Sequence, residues 1–306
     1  MLTKNVERFW CFFLASRFQT LLISISSLLF NLSFVYRQYQ KIKLVYIILL
    51  LCLFVCLQIF ANFTNDYFDE VSGVESKFRL GPKRFTLRLG SFIMHFYLSV
   101  SLLLITFILI LLLLSVDYGS IKHIIFSLMS SGLFICFVYS GGPFPLASLG
   151  LGEVLVFFVF GLLQTITFNF VNIASFHFNL QNYLFSTSSG LLSAALLSVN
   201  NARDQIIDIQ TLKRITLAAR FGINFANFYY YSTIFLCIYL FVYYIFLHTL
   251  IYATFLTLVF ISINSWKLAK DALFLDRINF QLISLGSTSL FVFIYSFFIF
   301  STLVLL

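Results

Sequence analysis

Apolar residues in this chain come in blocks about twenty long, the length a helix needs to cross roughly 30 Å of hydrocarbon. The block "LVYIILLLCLFVCLQIF", residues 44–60, contains a single strongly polar side chain, Gln58. Strict apolar/polar alternation of the barrel type is absent, so the spans are expected to be helices, whose backbone groups are satisfied internally. The pattern predicts about nine spans, at roughly 10–35, 44–64, 92–115, 121–140, 153–172, 180–200, 224–246, 248–265 and 283–305. The expected fold class is all-α: one polytopic membrane domain over residues 1–306, with no soluble domain between spans. Three polar linkers are long enough to carry chemistry, 65–91, 201–223 and 266–282.

Composition agrees with the pattern. Of 306 residues, 61% are hydrophobic and 10% charged, against about 25% charged in a soluble domain. Such a chain cannot cover a water-facing surface. The first apolar block reads as a retained span, with no cleavable signal before it. The net charge of +8 is expected to reflect membrane topology, with no nucleic acid implied, because Lys and Arg collect in short loops on one side. With the N-terminus on that side, it receives fourteen of them against four on the other, leaving Arg17 inside the first span uncounted. All three polar linkers then face the cytoplasm or its equivalent. The five cysteines form no CxxC motif, and Cys52 and Cys56, one helical turn apart, are expected to pack inertly.

The first span ending in chemistry reads "ANFTNDYFDE", residues 61–70. Asn62, Asp66 and Asp69 are spaced i, i+4, i+7 and so share one helix face. A second cluster, "NNARDQIIDIQTLKR" from Asn200 to Arg214, repeats the device with Asn201, Asp204 and Asp208. One aspartate at mid-helix costs about 2.5–3.5 kcal/mol on insertion scales. Four of them require water and cations, or else lie in solvated loop ends. Basic residues accompany both clusters: Lys83 and Arg84 follow the first, Arg203 lies within the second and Lys213 follows it. Oxygen-only donors suit Mg²⁺, which typically combines a few carboxylates with substrate phosphates. A diphosphate bridged by Mg²⁺ to both acid faces, with Arg and Lys on its remaining oxygens, matches every charge.

The two clusters resemble the paired aspartate-rich motifs of the UbiA superfamily of membrane prenyltransferases. The likeness is nearest to the branch acting on 1,4-dihydroxy-2-naphthoate in menaquinone and phylloquinone synthesis. Asn62, Asn65, Asp66, Tyr67, Asp69 and Gly73 match the first motif of that branch. Asn200, Asn201, Arg203, Asp204, Asp208, Lys213 or Arg214, Thr216, Leu217, Arg220 and Gly222 match the second. "YSGGPFPLASLGLGEVLVFFVFG", residues 139–161, and Gly81-Pro82 resemble further loops of the branch. Leu212 stands where the family usually has glycine, and a proline-rich opening is reduced to "SRFQTL", which keeps Arg17, Thr20 and Leu21.

The resemblance implies spanning helices around a central cavity and Mg²⁺ held by Asn62, Asp66, Asp69, Asp204 and Asp208. It implies diphosphate binding by Asn62, Asn65, Lys83, Arg84, Asn201, Arg203 and Lys213. Asp66, Asp69, Asp204, Asp208 and Arg203 are the expected catalytic group, and the implied partners are a polyprenyl diphosphate, an aromatic acceptor and the lipid bilayer. Another aromatic acceptor, or a cation transporter with intramembrane acids, are the competing readings. Glu153 opens the fifth span, where an acid complements a helix N-terminus, and a contact with the aromatic substrate is the alternative role. His95, His123, His177 and His248 show no metal spacing, while Asp271 and Asp276 read as a solvated charged face.

Overall fold

The computed structural model describes residues 16–39, 43–71, 92–115, 119–176, 179–211 and 214–247. All regular structure among them is helical. The long helices are α1 (Phe18–Tyr39), α2 (Leu44–Val71), α3 (Phe92–Leu114), α4 (Lys122–Ser140), α5 (Gly152–Ile173) and α6 (Leu180–Thr211). A short α7 (Leu217–Phe221) leads into α8 (Ile223–Leu247). Helices therefore stand at every predicted span up to residue 246, within the described residues. The predicted spans 248–265 and 283–305 lie outside them, as does the linker 266–282.

Among the described residues three segments are long and apolar enough to cross a membrane by themselves: Leu44–Val71, Gly119–Ser140 and Gly152–Ile173. Thr20–Leu32 and Ser99–Leu113 are shorter apolar helical stretches. α6 departs from the simple pattern because its interior is polar on one side. Ser186, Ser188, Ser189 and Ser193 are buried, and small hydroxyl residues let helices approach closely where water is absent.

Two linkers are more helical than their polarity suggested. α2 has 28 residues, about 42 Å at 1.5 Å per residue, so it outruns the hydrocarbon and carries Asn62 to Asp69 on its last turns. α6 has 32 residues and likewise carries Asn200 to Asp208. Both acid clusters are thus helix faces, and Asn62, Asn65, Asp66, Asp69, Asn201, Arg203, Asp204 and Asp208 are all buried. The solvated loop-end reading fails on that burial.

The apolar core sits away from these ends. Phe30, Val35, Leu50, Leu53, Ile125, Met129, Phe168 and Leu184 interlock between α1, α2, α4, α5 and α6. At the α5–α6 crossing, Gly161 and Gly190 allow backbone contact: an added Cβ at Gly161 would lie 2.5 Å from the Ser186 carbonyl oxygen. One at Gly190 would lie 2.6 Å from that of Phe157. The same stretch of α5, Phe158–Leu163, widens into a π turn. The Phe160 carbonyl there accepts bonds from Ser27 Oγ (2.6 Å) and Ser189 Oγ (2.8 Å), which tie α1, α5 and α6 together. Cys52 is exposed on α2 and Cys56 half-buried; neither they nor the other described cysteines are disulfide-bonded.

Candidate functional site

Five helix ends gather at one pole of the bundle: the start of α1, the ends of α2, α4 and α6, and the start of α5. The chain after α4 turns sharply at Gly141-Gly142, where Gly142 adopts φ 82. It then runs as a loop that pairs with the segment after α6 through Ile215 N–H to the Ser148 carbonyl, 2.9 Å. Gly150 (φ 81) is required at that junction, since a Cβ would lie 2.8 Å from the Ile215 carbonyl oxygen. This pairing holds Arg214 against the end of α2.

Each acid of the first face meets an arginine from elsewhere in the chain. Arg17 Nη2 donates to Asp66 Oδ1 at 2.5 Å. Arg214 Nη1 donates to Asp69 Oδ2 at 3.3 Å and its Nη2 to Asn65 Oδ1 at 2.8 Å. Ser140 Oγ donates to the same Asn65 oxygen at 2.9 Å. Arg17 sits at φ 51, a left-handed conformation that is costly for a side-chain-bearing residue and found preferentially at functional sites. Thr20 holds it there, its N–H and its Oγ both donating to the Arg17 carbonyl. Asn62 Nδ2 donates to Ser16 O and Thr20 Oγ1, both at 2.9 Å, fastening α1 to α2.

On the second face several contacts lie within the helix and its following cap. Arg203 grips the neighbouring Asp204 with Nε and Nη2, both at 2.8 Å, and Nη2 also reaches Asn200 Oδ1 at 2.7 Å. Thr216 caps α7 by accepting from the Ala219 N–H while donating to Asp208 Oδ2 at 3.3 Å. Burial pushes the Asp208 carboxyl up to about 7; Arg214 pulls it down, and Asp204 and Asp69 push it further up. Burial also works against the charge of Arg214, but Asp69, Asp208, Tyr139 and Asp204 outweigh it and hold the guanidinium above its ordinary pKa. Asp69 therefore contacts Arg214 directly, and the charges of Asp208 and Asp204 act on it without a direct contact. Glu153, in the first turn of α5, accepts from Asn201 Nδ2 at 2.8 Å through Oε1, while its buried Oε2 has no partner. The contact with Asn201 is one the helix-terminus role did not include.

This polar pole closes one end of a cavity of about 120 Å³. Arg17, Asn62, Asn65, Asn200, Asn201 and Arg214 line the polar end, and Phe54, Leu57, Met129, Val159, Phe160 and Leu196 line the rest. An anionic head with a long hydrocarbon tail fits that division. Among the described residues no group of three or more His, Cys, Asp or Glu side chains is arranged to hold a metal ion. The donor chemistry, carboxylate and amide oxygen around a centre of positive charge, nevertheless fits a hard divalent cation; Arg214 supplies that charge here.

Of the predicted site residues, Asn62, Asn65, Asp66, Asp69, Asn201, Arg203, Asp204 and Asp208 come together, while Lys83, Arg84 and Lys213 lie outside the described residues. The sequence reading gave Arg17 no role and offered Arg214 only as an alternative to Lys213. An arginine inside an apolar span is itself a functional signal, which would have found Arg17. The choice between Lys213 and Arg214 depends on a turn that Leu212 obscures. Thr20, Tyr139 and Ser140 carried no signal beyond the resemblance.

A buried acid-and-arginine pole over an apolar cavity is chemically suited to an amphiphilic anion. Residues 24–285 match the UbiA prenyltransferase family, and the chain belongs to that family. It is a prenyltransferase and, with its apolar helices, an integral membrane protein. It is similar to a protein of Dictyostelium discoideum named UbiA prenyltransferase domain-containing protein 1, at 29% identity over 239 residues, 75% of this chain and 69% of that one. It is also similar to two proteins named 1,4-dihydroxy-2-naphthoate octaprenyltransferase. That of Haemophilus influenzae is 29% identical over 58% of each chain, and that of Escherichia coli 32% over 54% of each. The chain thus spans little more than half the length of these two bacterial relatives.

Proposed function

We propose that this prenyltransferase moves a polyprenyl group from its diphosphate to 1,4-dihydroxy-2-naphthoate, with Mg²⁺ as cofactor. The observation that carries this reading is that Asn62 and Asn65 of the first motif and Asn200, Asn201 and Arg214 of the second meet at the polar end of one apolar cavity. The names of the bacterial relatives and the second-motif pair Arg203-Asp204 support the acceptor. The diphosphate head would lie at the pole and the tail among Phe54, Leu57, Val159 and Phe160. Asn62, Asp66, Asp69, Asp204 and Asp208 would hold Mg²⁺, which supplies positive charge to the diphosphate oxygens. Arg203, Lys83, Arg84 and Lys213, with Asn65 and Asn201, would take the remaining oxygens. The allylic C–O bond breaks and pyrophosphate leaves with the electron pair. The electron-rich ring carbon then forms the new C–C bond, and the acceptor's carboxyl group departs as carbon dioxide. The apolar walls keep water from the cation.

The fourteen-to-four charge count supports a cytoplasmic location for the pole. Cysteine labelling should place 65–91 and 201–223 on one side, together with 266–282; two of them on opposite faces would end the shared-site reading. Membranes containing the protein should convert labelled polyprenyl diphosphate and 1,4-dihydroxy-2-naphthoate to a decarboxylated prenyl-1,4-naphthalenediol, identified by mass. EDTA should abolish the reaction and Mg²⁺ or Mn²⁺ restore it. Preference for another acid in a panel of aromatic acceptors would overturn the acceptor assignment.

A further inference from the structure

Two neighbouring asparagines at the polar end of the cavity are held by charged groups of opposite kind. Asn200 and Asn201 both line that end. Arg203 donates through Nη2 to Asn200 Oδ1 at 2.7 Å, and a guanidinium has hydrogens to give but no lone pair to offer. Glu153 accepts through Oε1 from Asn201 Nδ2 at 2.8 Å, and a carboxylate has lone pairs but no hydrogen. The two amides are therefore fixed in opposite senses. Asn200 keeps its Nδ2 hydrogens and Asn201 keeps its Oδ1, and neither atom has a hydrogen-bond partner among the described residues. Arg203 and Glu153 are only 4% and 2% exposed, so both orientations are set inside the protein. Val156, about one turn beyond Glu153, and Leu197, about one turn before the asparagines, line the cavity beside them.

We infer that this donor–acceptor pair reads the aromatic acceptor, an inference that rests on the transferase reading above. Asn200 Nδ2 donates to the acceptor's carboxylate, Asn201 Oδ1 accepts from a ring hydroxyl, and Val156 and Leu197 flank the ring. Glu153 is a positioning residue: it touches Asn201 and keeps the amide oxygen turned to the cavity. The ligand class is an aromatic acid that also carries a free hydroxyl donor. In 1,4-dihydroxy-2-naphthoate the 1-hydroxyl stands next to the carboxylate and hydrogen-bonds to it, which leaves the 4-hydroxyl for Asn201. Asn201 stands among the residues proposed above for the diphosphate, but the oxygen it presents repels phosphate oxygens and suits a hydroxyl.

The test is isothermal titration of the full chain in nanodiscs with Mg²⁺ and geranylgeranyl S-thiolodiphosphate, a donor analogue that ionises too slowly to react. It compares 4-hydroxy-2-naphthoate with 2-naphthoate, which differ only by the hydroxyl. Wild type should bind the hydroxy acid about tenfold or more tightly, since its absence leaves a buried acceptor unpaired. Asn201→Leu should bring that ratio to about one. Glu153→Gln should lower the ratio about two- to fivefold and leave 2-naphthoate affinity unchanged, because an amide can either accept from Asn201 or donate to it. Glu153→Gln/Asn201→Asp should restore most of the ratio. There the introduced amide donates to the introduced carboxylate, whose second oxygen faces the cavity in place of Oδ1. A merely structural Glu153 would weaken both ligands alike in Glu153→Gln, and that result would overturn the inference. A double variant no better than Glu153→Gln alone would overturn it too. Equal binding of the two acids by wild type would do the same with no variant required, and would spare the transferase reading. Binding of neither acid by wild type would instead remove the aromatic-acid reading itself.

Discussion

The two acid faces have the same composition and opposite wiring. On α2, Asp66 and Asp69 are neutralised by Arg17 and Arg214, which fold in from other parts of the chain. On α6, Asp204 pairs with its own neighbour Arg203, while Asp208 accepts a hydrogen bond from the Thr216 hydroxyl of the following cap and feels the charge of Arg214. The first face therefore exists as a charged, paired surface only in the folded bundle. The second has contacts within its own helix and the turn after it, besides the Asn201–Glu153 bond to α5. A charge pair between distant elements depends on how those elements dock, here on the Ile215–Ser148 link and the Thr20 bonds to the Arg17 carbonyl. A pair made between adjacent residues stays near its partner whatever the ligand state.

The sharpest way to break the comparison is to neutralise one acid on each face. Asp66→Asn and Asp204→Asn should each reduce turnover by about 10²–10³, the usual cost of one transition-state electrostatic contact. Acting on one diphosphate, the double variant should lose less than the product of the single losses. If Asp204→Asn alone had an effect, the α2 face would be structural and the joint clamp would be lost.

Arg214→Lys comes next. The lysine keeps the charge but cannot serve Asp69 and Asn65 together, so kcat/KM for the prenyl diphosphate should fall about 10- to 100-fold, as for a hydrogen bond to a charged group. An unchanged value would show that point charge alone is what the first face requires. Gly161→Ala probes the packing that holds α5 against α6 and thereby sets the pole. Its Cβ would lie 2.5 Å from a backbone oxygen, so thermal unfolding in detergent should report a loss of about 1–3 kcal/mol. Glu153→Gln leaves an oxygen for Asn201 and removes a charge from the second face; kcat/KM should fall only about two- to tenfold. A loss as large as that of Asp204→Asn would move Glu153 into the catalytic group.

Much of the site could be read from residue order because both acid clusters lie on single helices. Asn62, Asp66 and Asp69 repeat at helical spacing, as do Asn201, Asp204 and Asp208, so their shared faces follow from 3.6 residues per turn. That the helices continue through the clusters was less legible, because acids after a long apolar run also mark the exit from a membrane. The partners of the first face were not legible. Arg17 reads only as a residue kept in the opening of the first span, and Lys213 and Arg214 are adjacent residues that differ in direction by a turn the sequence does not specify.

The sequence by itself determined that this chain is helical and membrane-embedded, that it carries two matched acid faces, and that its family is that of the UbiA prenyltransferases. Those conclusions rest on hydrophobic block length, helical periodicity and local motifs, all properties of neighbouring residues. Only the tertiary structure decided that Arg17 meets Asp66, that Arg214 meets Asp69 and Asn65, and that this pole caps an apolar cavity. Such pairings depend on how helices dock. Here that is set by the Gly161–Gly190 approach, the serine bonds to the Phe160 carbonyl and the Ser148–Ile215 link between loops, none of which leaves a period in the sequence.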